Sequence, residues 1–319
     1  MLEFFIRRPS LRIVFMGSPE SAVPSLEYLV LNGFPVVAVY TRPDRPAGRG
    51  RTLLPPPVKL AAARLGLTVL QPPGLKSGED LQRLADFKPD VIVVCAFGQI
   101  LTHAVLDIPS RQCLNVHFSL LPRHRGAAPV AAAILAGDEF TGVSTQLVLQ
   151  KLDTGPVLST AAVPISPRDN TGTLTARLSL IGANLLGDSL TGWLRGEIIL
   201  RPQDESAATY SGRIKKDDGY IVWHSPAVDI WRRVRAFYPW PGCYTTWRGK
   251  QLKINESAVL PGSAPAGHVL ELPGELAVGV GTGEGILGVK TLQLEGRKAM
   301  SAEDFLRGQR DFIGARLPD

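Results

Sequence analysis

Asn115 and His117 stand two residues apart in the stretch 113–129, which reads CLNVHFSLLPRHRGAAP. Leu114, Val116 and Phe118 alternate there with Asn115, His117 and Ser119. Successive side chains of a strand point to opposite faces, so the amide and the imidazole share one face. An imidazole can move a proton near neutral pH. A carboxamide can donate a hydrogen bond to a developing oxyanion without titrating. The pair suits attack of a nucleophile on a carbonyl carbon. A third group should orient the imidazole, and Asp153 is the candidate, in Lys151-Leu-Asp-Thr-Gly155 just after the apolar run 143–149. The same residues also read as two polar positions on a surface strand and an ordinary turn.

The elements around these residues have the order of an open α/β sheet. Leu120, Leu121 and Pro122 end the alternation, residues 123–129 mix charge, Gly and Pro, and the apolar run 130–135 starts a helix. Open α/β sheets keep their ligand sites just past such strand ends. Residues 11–16 (LRIVFM), 36–40 (VVAVY) and 90–96 (DVIVVCA) are continuous apolar runs, the mark of buried parallel strands. Residues 17–20 turn the first strand into a helix over 21–32, which Gly33 stops. That turn is not GxGxxG, so no dinucleotide site is inferred. Helices are expected over 60–65 and 78–87, with a short strand over 68–70. Residues 97–101 (FGQIL) follow the 90–96 strand and reach the same sheet edge as His117, where an aromatic and a glycine could floor the pocket of a flat ligand. Strands alternating with helices give an α/β, doubly wound, mainly parallel sheet.

Beyond Asp153 the reading continues with a strand over 157–163, a turn at 170–172 and an amphipathic helix over 174–194. Residues 201–216 are polar and extended, as in an interdomain linker. From about residue 213, short strand-like pieces at 220–223, 243–247, 252–254, 277–281 and 286–289 alternate with Gly and Pro, which suggests a small β-barrel. A helix over 227–236 carries Arg232, Arg233 and Arg235, with Trp231, Phe237, Tyr238, Trp240 and Trp247 nearby. Basic and aromatic residues on a small barrel suit nucleic acid, although aromatics also fill barrel cores.

Composition bounds these readings. A chain of 319 residues accommodates two domains, and 45% apolar with 20% charged residues is a folded composition. No apolar run reaches eighteen residues, so no membrane-spanning helix is expected. MLEFFIRRPS lacks the long apolar core and cleavage site of a secretory signal. Three cysteines without paired spacing argue against a disulfide framework and fit a reducing, cytoplasmic compartment. Five histidines without metal-ligand spacing argue against a protein-built metal site. The net charge of +6 fits a polyanionic partner, and many cytosolic proteins are as mildly basic without touching nucleic acid. Residues 41–59 (TRPDRPAGRGRTLLPPPVK) concentrate Arg42, Arg45, Arg49, Arg51 and Lys59 against one acid, Asp44. Guanidinium groups on such a loop suit phosphate, and a solvated basic loop has the same composition.

Several motifs carry a resemblance. They are Arg12-Ile-Val-Phe-Met-Gly-Ser-Pro-Glu20, Arg42-Pro-Asp-Arg-Pro-Ala-Gly-Arg-Gly50, Ala96-Phe-Gly98, Asn115-Val-His117, Ser119-Leu-Leu-Pro122 with Arg125-Gly-Ala-Ala-Pro129, Leu152-Asp-Thr-Gly155, Arg235-Ala-Phe-Tyr-Pro-Trp-Pro241 and Gly296-Arg-Lys-Ala-Met-Ser301. Through them the chain resembles the methionyl-tRNA formyltransferases almost end to end. Asn-x-His with Ser-Leu-Leu-Pro marks folate-dependent formyltransferases as a class, while the basic loop and the C-terminal motifs point to the tRNA members.

The resemblance implies a Rossmann-like doubly wound domain over 11–200 that binds folate and catalyses, after an extension at 1–10. A linker over 201–215 and an OB-like β-barrel over 216–319 that binds tRNA would follow. The formyl donor would be 10-formyltetrahydrofolate, and the acceptor the α-amino group of initiator methionyl-tRNA. No metal, membrane or obligate protein partner would be needed, and the enzyme would be a cytoplasmic monomer. Asn115, His117 and Asp153 would be the catalytic trio, with Asn115 and protonated His117 stabilising the tetrahedral oxyanion. Ser119, Leu120, Leu121 and Pro122 would line the folate pocket, with Phe97, Gly98 and Ile100 opposite. Arg42, Arg45, Arg49, Arg51 and Lys59 would grip the acceptor end of the tRNA. Phe118 stands where a small residue is common in that family, His124 where Trp is frequent, Thr102 where Pro is frequent and Ser21 where Phe is usual. Two other readings use the same fold: a formyltransferase acting on a small amine such as an amino-sugar nucleotide, and a non-catalytic folate or RNA binder.

Overall fold

In the computed structural model, which describes residues 11–47, 52–76, 78–273 and 276–319, the apolar run at the start of the chain is strand β1 (Ile13–Gly17), buried along its whole length. A 3-10 turn at Glu20–Ala22 leads into α1 (Val23–Leu31), and β2 (Val36–Tyr40) follows. The basic loop then forms a small hairpin, β3 (Arg45–Ala47) with β4 (Thr52–Leu54), and enters α2 (Pro57–Arg64). The prolines and glycines of this loop keep it out of the main sheet, and two short strands pair only with each other. Next come β5 (Val69–Leu70), α3 (Gly78–Asp86), β6 (Val91–Cys95), a short α4 (His103–Leu106), β7 (Cys113–His117) and β8 (Arg125–Gly126). They are followed by α5 (Pro129–Ala136), β9 (Phe140–Leu147), β10 (Val157–Pro164), the long α6 (Thr171–Leu194) and β11 (Tyr210–Ser211).

The main sheet has the order β10-β9-β7-β6-β1-β2-β5. Strands β7, β6, β1, β2 and β5 run parallel, and β9 is antiparallel to β7. The chain winds outward from β1 to β5 and then returns to β6 on the other side of β1. The crevice past the strand ends at that reversal is where such sheets bind ligands. Val14, Met16, Ala38, Tyr40, Ile92 and Phe97 belong to the core on one side of this sheet. Their apolar runs on both faces are what a parallel sheet covered by helices requires.

At the C-terminal ends of the strands, Ser18 joins three segments. Its Oγ donates to the Phe97 carbonyl oxygen at 3.2 Å and accepts from Thr41 Oγ1 at 3.4 Å and from the Arg42 amide at 3.2 Å. The ends of β1, β2 and β6 are thus held in one register beside β7.

After residue 212 the chain forms α7 (Ala227–Ala236), β12 (Cys243–Trp247), β13 (Lys250–Leu260), β14 (Val269–Glu271), β15 (Val278–Gly281), β16 (Ile286–Leu294), β17 (Met300–Ser301) and α8 (Ala302–Gly308). Its strands make a six-stranded, curled antiparallel half-barrel sheet, ordered β12-β13-β16-β15-β14 with β17 on β16. Register shifts in β13 between Ile254 and Ser257 locate the irregularity that bends the longest strand. The piece at 220–223 contributes only an isolated bridge, Tyr220 to Tyr244. Trp247 packs edge-on against Phe305 and Phe312 at 5.6 and 5.0 Å in the core, whereas Trp240 is exposed.

The chain divides into two compact units. One takes the described residues up to Gly126 with Thr141–Val163 and Thr175–Ser211, and the other takes Ala127–Phe140, Pro164–Leu174 and Gly212–Asp319. Helix α5 falls in the second unit because it packs on α7. The α7 arginines hold this unit together. Arg235 lies over the Trp231 ring at 4.2 Å and donates to the carbonyls of Asp169 and Ser166, both at 2.7 Å. Arg233 donates to the carbonyls of Asp218 and Tyr220. Residues 201–211, polar enough to read as a linker, are held to the first unit. Val157 and Arg201 exchange backbone hydrogen bonds, and β11 pairs with β8.

Candidate active site

Strand β7 places Asn115 and His117 on one face, Asn115 half-buried and His117 buried. On the opposite face, Val116 and Phe118 lie against Gly182 of α6. A β-carbon at Gly182 would meet them at 3.0 and 3.4 Å, so the glycine leaves room for the bulky Phe118. Strand β9 runs antiparallel alongside and sets Gln146 opposite Asn115 and Ser144 opposite His117.

The His117 ring has a defined partner on each nitrogen. Nε2 lies 3.0 Å from the His124 carbonyl oxygen. A carbonyl can only accept, so Nε2 carries a proton in this arrangement. Nδ1 faces the Asp153 carboxylate, 3.7 Å from Oδ1, with both side chains about nine-tenths buried. Asp153 comes from the turn after β9, so the carboxylate expected to orient the imidazole is beside it.

That turn is built tightly. Asp153 has φ 54°, the left-handed region that Asp tolerates better than most residues. Its Oδ2 accepts from the Gly126 amide at 2.8 Å and its Oδ1 accepts from Gln146 Nε2 at 3.0 Å. Gln203 Nε2 donates to the carbonyls of Asp153 at 2.8 Å and Gly155 at 2.7 Å, and lies 3.2 Å from Gln146 Oε1. Gly155 is required here, because a β-carbon would fall 1.7 Å from the Leu147 carbonyl oxygen.

The segment that supplies the His124 carbonyl and the Gly126 amide is anchored by the side chain between them. Arg125 is fully buried and donates through Nε to Gln203 Oε1 at 3.0 Å and through its two terminal nitrogens to both oxygens of Glu205 at 3.1 and 2.9 Å. It also donates to the Tyr210 hydroxyl at 3.3 Å. The Arg125 hydrogen bonds hold the Glu205 carboxyl below its usual range, and they raise the pKa of the guanidinium. The His124 ring is itself buried, and its amide donates to Thr209 Oγ1 at 2.8 Å.

The residues expected to line a folate pocket fall into two groups. Ser119 is fully buried, and its Oγ donates to the Arg123 carbonyl at 2.6 Å. Its own carbonyl accepts from Ser144 Oγ at 2.7 Å, and that hydroxyl accepts from the Leu121 amide at 3.0 Å. Leu121 is buried, while Leu120 and Pro122 are half-buried. This loop is a fixed wall. Phe97 lies in the core, and Gly98, at φ 75°, accepts from the Arg42 guanidinium. Ile100 is 79% exposed at the same edge.

In the basic loop, Lys59 pairs with Asp44 at 2.7 Å, and Gln71 donates to Asp44 at 2.8 Å. The Lys59 hydrogen bond lowers the Asp44 pKa. Arg45 is exposed, and Arg49 and Arg51 lie outside the described residues. Burial pushes the thiols of Cys95, Cys113 and Cys243 up to about 12. Among the described residues, no group of three or more His, Cys, Asp or Glu side chains is placed to hold a metal ion, and no helix is long and apolar enough to cross a membrane.

The residues that sequence reasoning missed are Gln146, Gln203 and the Arg125 side chain. Gln146 carried a local signal, an amide inside the apolar run 143–149. The side-chain contacts of Gln203 and Arg125 carried none, because their partners are 48 to 85 residues away.

The Formyl transferase family matches residues 11–190, and the Formyl transferase, C-terminal domain family matches residues 213–310. A protein named methionyl-tRNA formyltransferase from Dehalococcoides mccartyi is 51% identical over 312 residues, covering 96% of this chain and 98% of that protein. One of the same name from Geobacter sulfurreducens is 43% identical over 307 residues, covering 96% of each. Among solved structures, the sugar 3N-formyl transferase WlaRD, determined with dTDP and 5-N-formyl-THF, shares the fold with a TM-score of 0.66 at 17% identity, covering 90% of this chain and 99% of that one. HypX from Aquifex aeolicus in complex with tetrahydrofolic acid has a TM-score of 0.61 at 17% identity, covering 95% of this chain and 47% of that one.

Proposed function

The chain belongs to the methionyl-tRNA formyltransferases, and from that premise we propose that it transfers a formyl group from 10-formyltetrahydrofolate to the α-amino group of initiator methionyl-tRNA, with Asn115, His117 and Asp153 doing the chemistry. The observation that carries the site assignment is the buried approach of the Asp153 carboxylate to His117 Nδ1, beside Asn115 on the same strand face.

The folate supplies an activated formyl group on a nitrogen that can leave. The residues present suit it: the strand-end crevice has a rigid wall at 119–122, and Ile100 offers apolar surface to a flat ring. The free amine attacks the formyl carbon, and the carbonyl oxygen takes on charge. The Asn115 amide donates to that oxygen. His117 turns its Nε2 proton from the His124 carbonyl to the substrate as the charge develops. Asp153 holds the ring through Nδ1, and its own orientation is set by Gly126 and Gln146. A proton then moves from the amine to the departing folate nitrogen.

Arg45, Arg49 and Arg51 meet the phosphates of the acceptor end, while Arg42 and Lys59, engaged with Gly98 and Asp44, shape the loop that presents them. The second unit adds basic surface for the same polyanion. The enzyme works in the cytoplasm as a monomer without metal.

Transfer of labelled formyl to methionyl-tRNA, with an amino-sugar nucleotide as competing acceptor, tests the reading. The tRNA should take the label. His117→Ala should abolish transfer while tRNA binding persists. Preference for the sugar, or parental activity in the variant, would refute the assignment.

A further inference from the structure

Gln203 lies between the two matched segments of the chain, after residue 190 and before residue 213. It is half-buried, and its carboxamide is used at both ends. Nε2 meets the Asp153 carbonyl at 2.8 Å, the Gly155 carbonyl at 2.7 Å and Gln146 Oε1 at 3.2 Å, while Oε1 accepts from Arg125 Nε at 3.0 Å. The contacts close a ring. Gln146 donates to one oxygen of Asp153, the Gly126 amide donates to the other, and Gly126 adjoins Arg125. The His124 carbonyl, on the other side of Arg125, accepts from His117.

Both groups that touch His117 are therefore tied to one amide. Asp153 sits in left-handed backbone geometry, which relaxes unless its surroundings hold it. Two of the hydrogen bonds that hold the turn come from Gln203. We propose that Gln203 is a positioning residue for formyl transfer, keeping the Asp153 carboxylate and the His124 carbonyl at their places on either side of the His117 ring. This rests on the reading of His117 and Asp153 as catalytic residues.

Gln203→Met keeps the length of the side chain and removes every hydrogen bond. Displacing a catalytic group by an ångström lowers rate far more than binding, so kcat should fall by about 10- to 100-fold. KM for methionyl-tRNA and for the folate should stay within about threefold. In an Asp153→Asn background, itself strongly impaired, the same substitution should lower the residual kcat by a clearly smaller factor than in the parent, because only the part acting through the His124 carbonyl remains. Gln203→Glu is the second variant. It keeps an acceptor for Arg125 but sets a carboxylate against three oxygens. Its kcat relative to the parent should recover as the pH falls, since a protonated carboxyl donates again.

Parental kcat in Gln203→Met, an equal fold loss in both backgrounds, or a pH-independent ratio for Gln203→Glu would each overturn the proposal and leave the catalytic trio standing. Parental kcat in Asp153→Asn alone would instead remove the underlying reading, and the proposal with it.

Discussion

Replacing Gly155 with alanine should disable the enzyme without unfolding it. The new β-carbon would lie 1.7 Å from the Leu147 carbonyl oxygen and 2.8 Å from its carbon, where real contacts do not fall below 3.0 Å. The turn must give by about 1.3 Å, since backbone in a close-packed strand cannot absorb the overlap. Gln203 donates to Gly155 at 2.7 Å and to Asp153 at 2.8 Å, and a shift of that size breaks both bonds. Asp153, two residues away, then leaves its place 3.7 Å from His117 Nδ1. Misplacement by about 1 Å at a reacting group lowers rate about 100-fold, equal to about 2.7 kcal/mol of barrier. The overpacking itself costs about 1–3 kcal/mol of stability, which leaves a two-unit protein of this size folded. The assay is single-turnover transfer of labelled formyl to methionyl-tRNA at saturating folate, with thermal unfolding in parallel. Gly74→Ala is the control, because nothing lies within 4 Å of its β-carbon position. A Gly155→Ala variant whose single-turnover rate constant stays within about twofold of the parent's would show that the turn does not set the rate.

Two further outcomes follow from the ionisable groups. Arg125 hydrogen bonds hold the Glu205 carboxyl below its ordinary 4.5, so the stability from this contact is complete above that pH and fades as the pH falls through the lower folded-state value. Glu205→Gln should be less stable than the parent at pH 7, with the gap in melting temperature closing below about pH 4; a gap unchanged to pH 2 would contradict the assignment. Burial holds Cys95, Cys113 and Cys243 at about 12, so a thiol reagent at pH 8 should label none of them in the native protein and all three after denaturation; fast native labelling counted by mass spectrometry would contradict their burial.

The parts of the fold that rest on local pattern were legible in the sequence. Residues 36–40 read as a strand because five apolar residues in succession fit a buried parallel position, and β2 has those bounds. The arginine-bearing helix over 227–236 matches α7 for the same kind of reason, its apolar spacing. What its arginines do was not legible. Their density suggested a polyanion, and composition does not reveal that Arg233 and Arg235 also donate to backbone carbonyls of their own unit. The β3–β4 hairpin was hidden by prolines that local propensity reads as breakers, although a two-stranded ribbon tolerates them on free edges. At the site, Asn115 and His117 were readable from strand alternation and Asp153 from its turn. The links through Gln203 and Arg125 were not, because they join segments 48 to 85 residues apart in the sequence.

The stapling of residues 201–211 has a practical side for anyone who would transplant or trim this enzyme. A fragment ending at residue 190, where the first family match stops, would retain the whole main sheet and the side chains of His117 and Asp153. It would discard the amide that braces the Asp153 turn, as well as the carboxylate and phenol that seat Arg125. The first compact unit therefore runs on through Ser211, and residues 201–211 belong to it rather than to a tether.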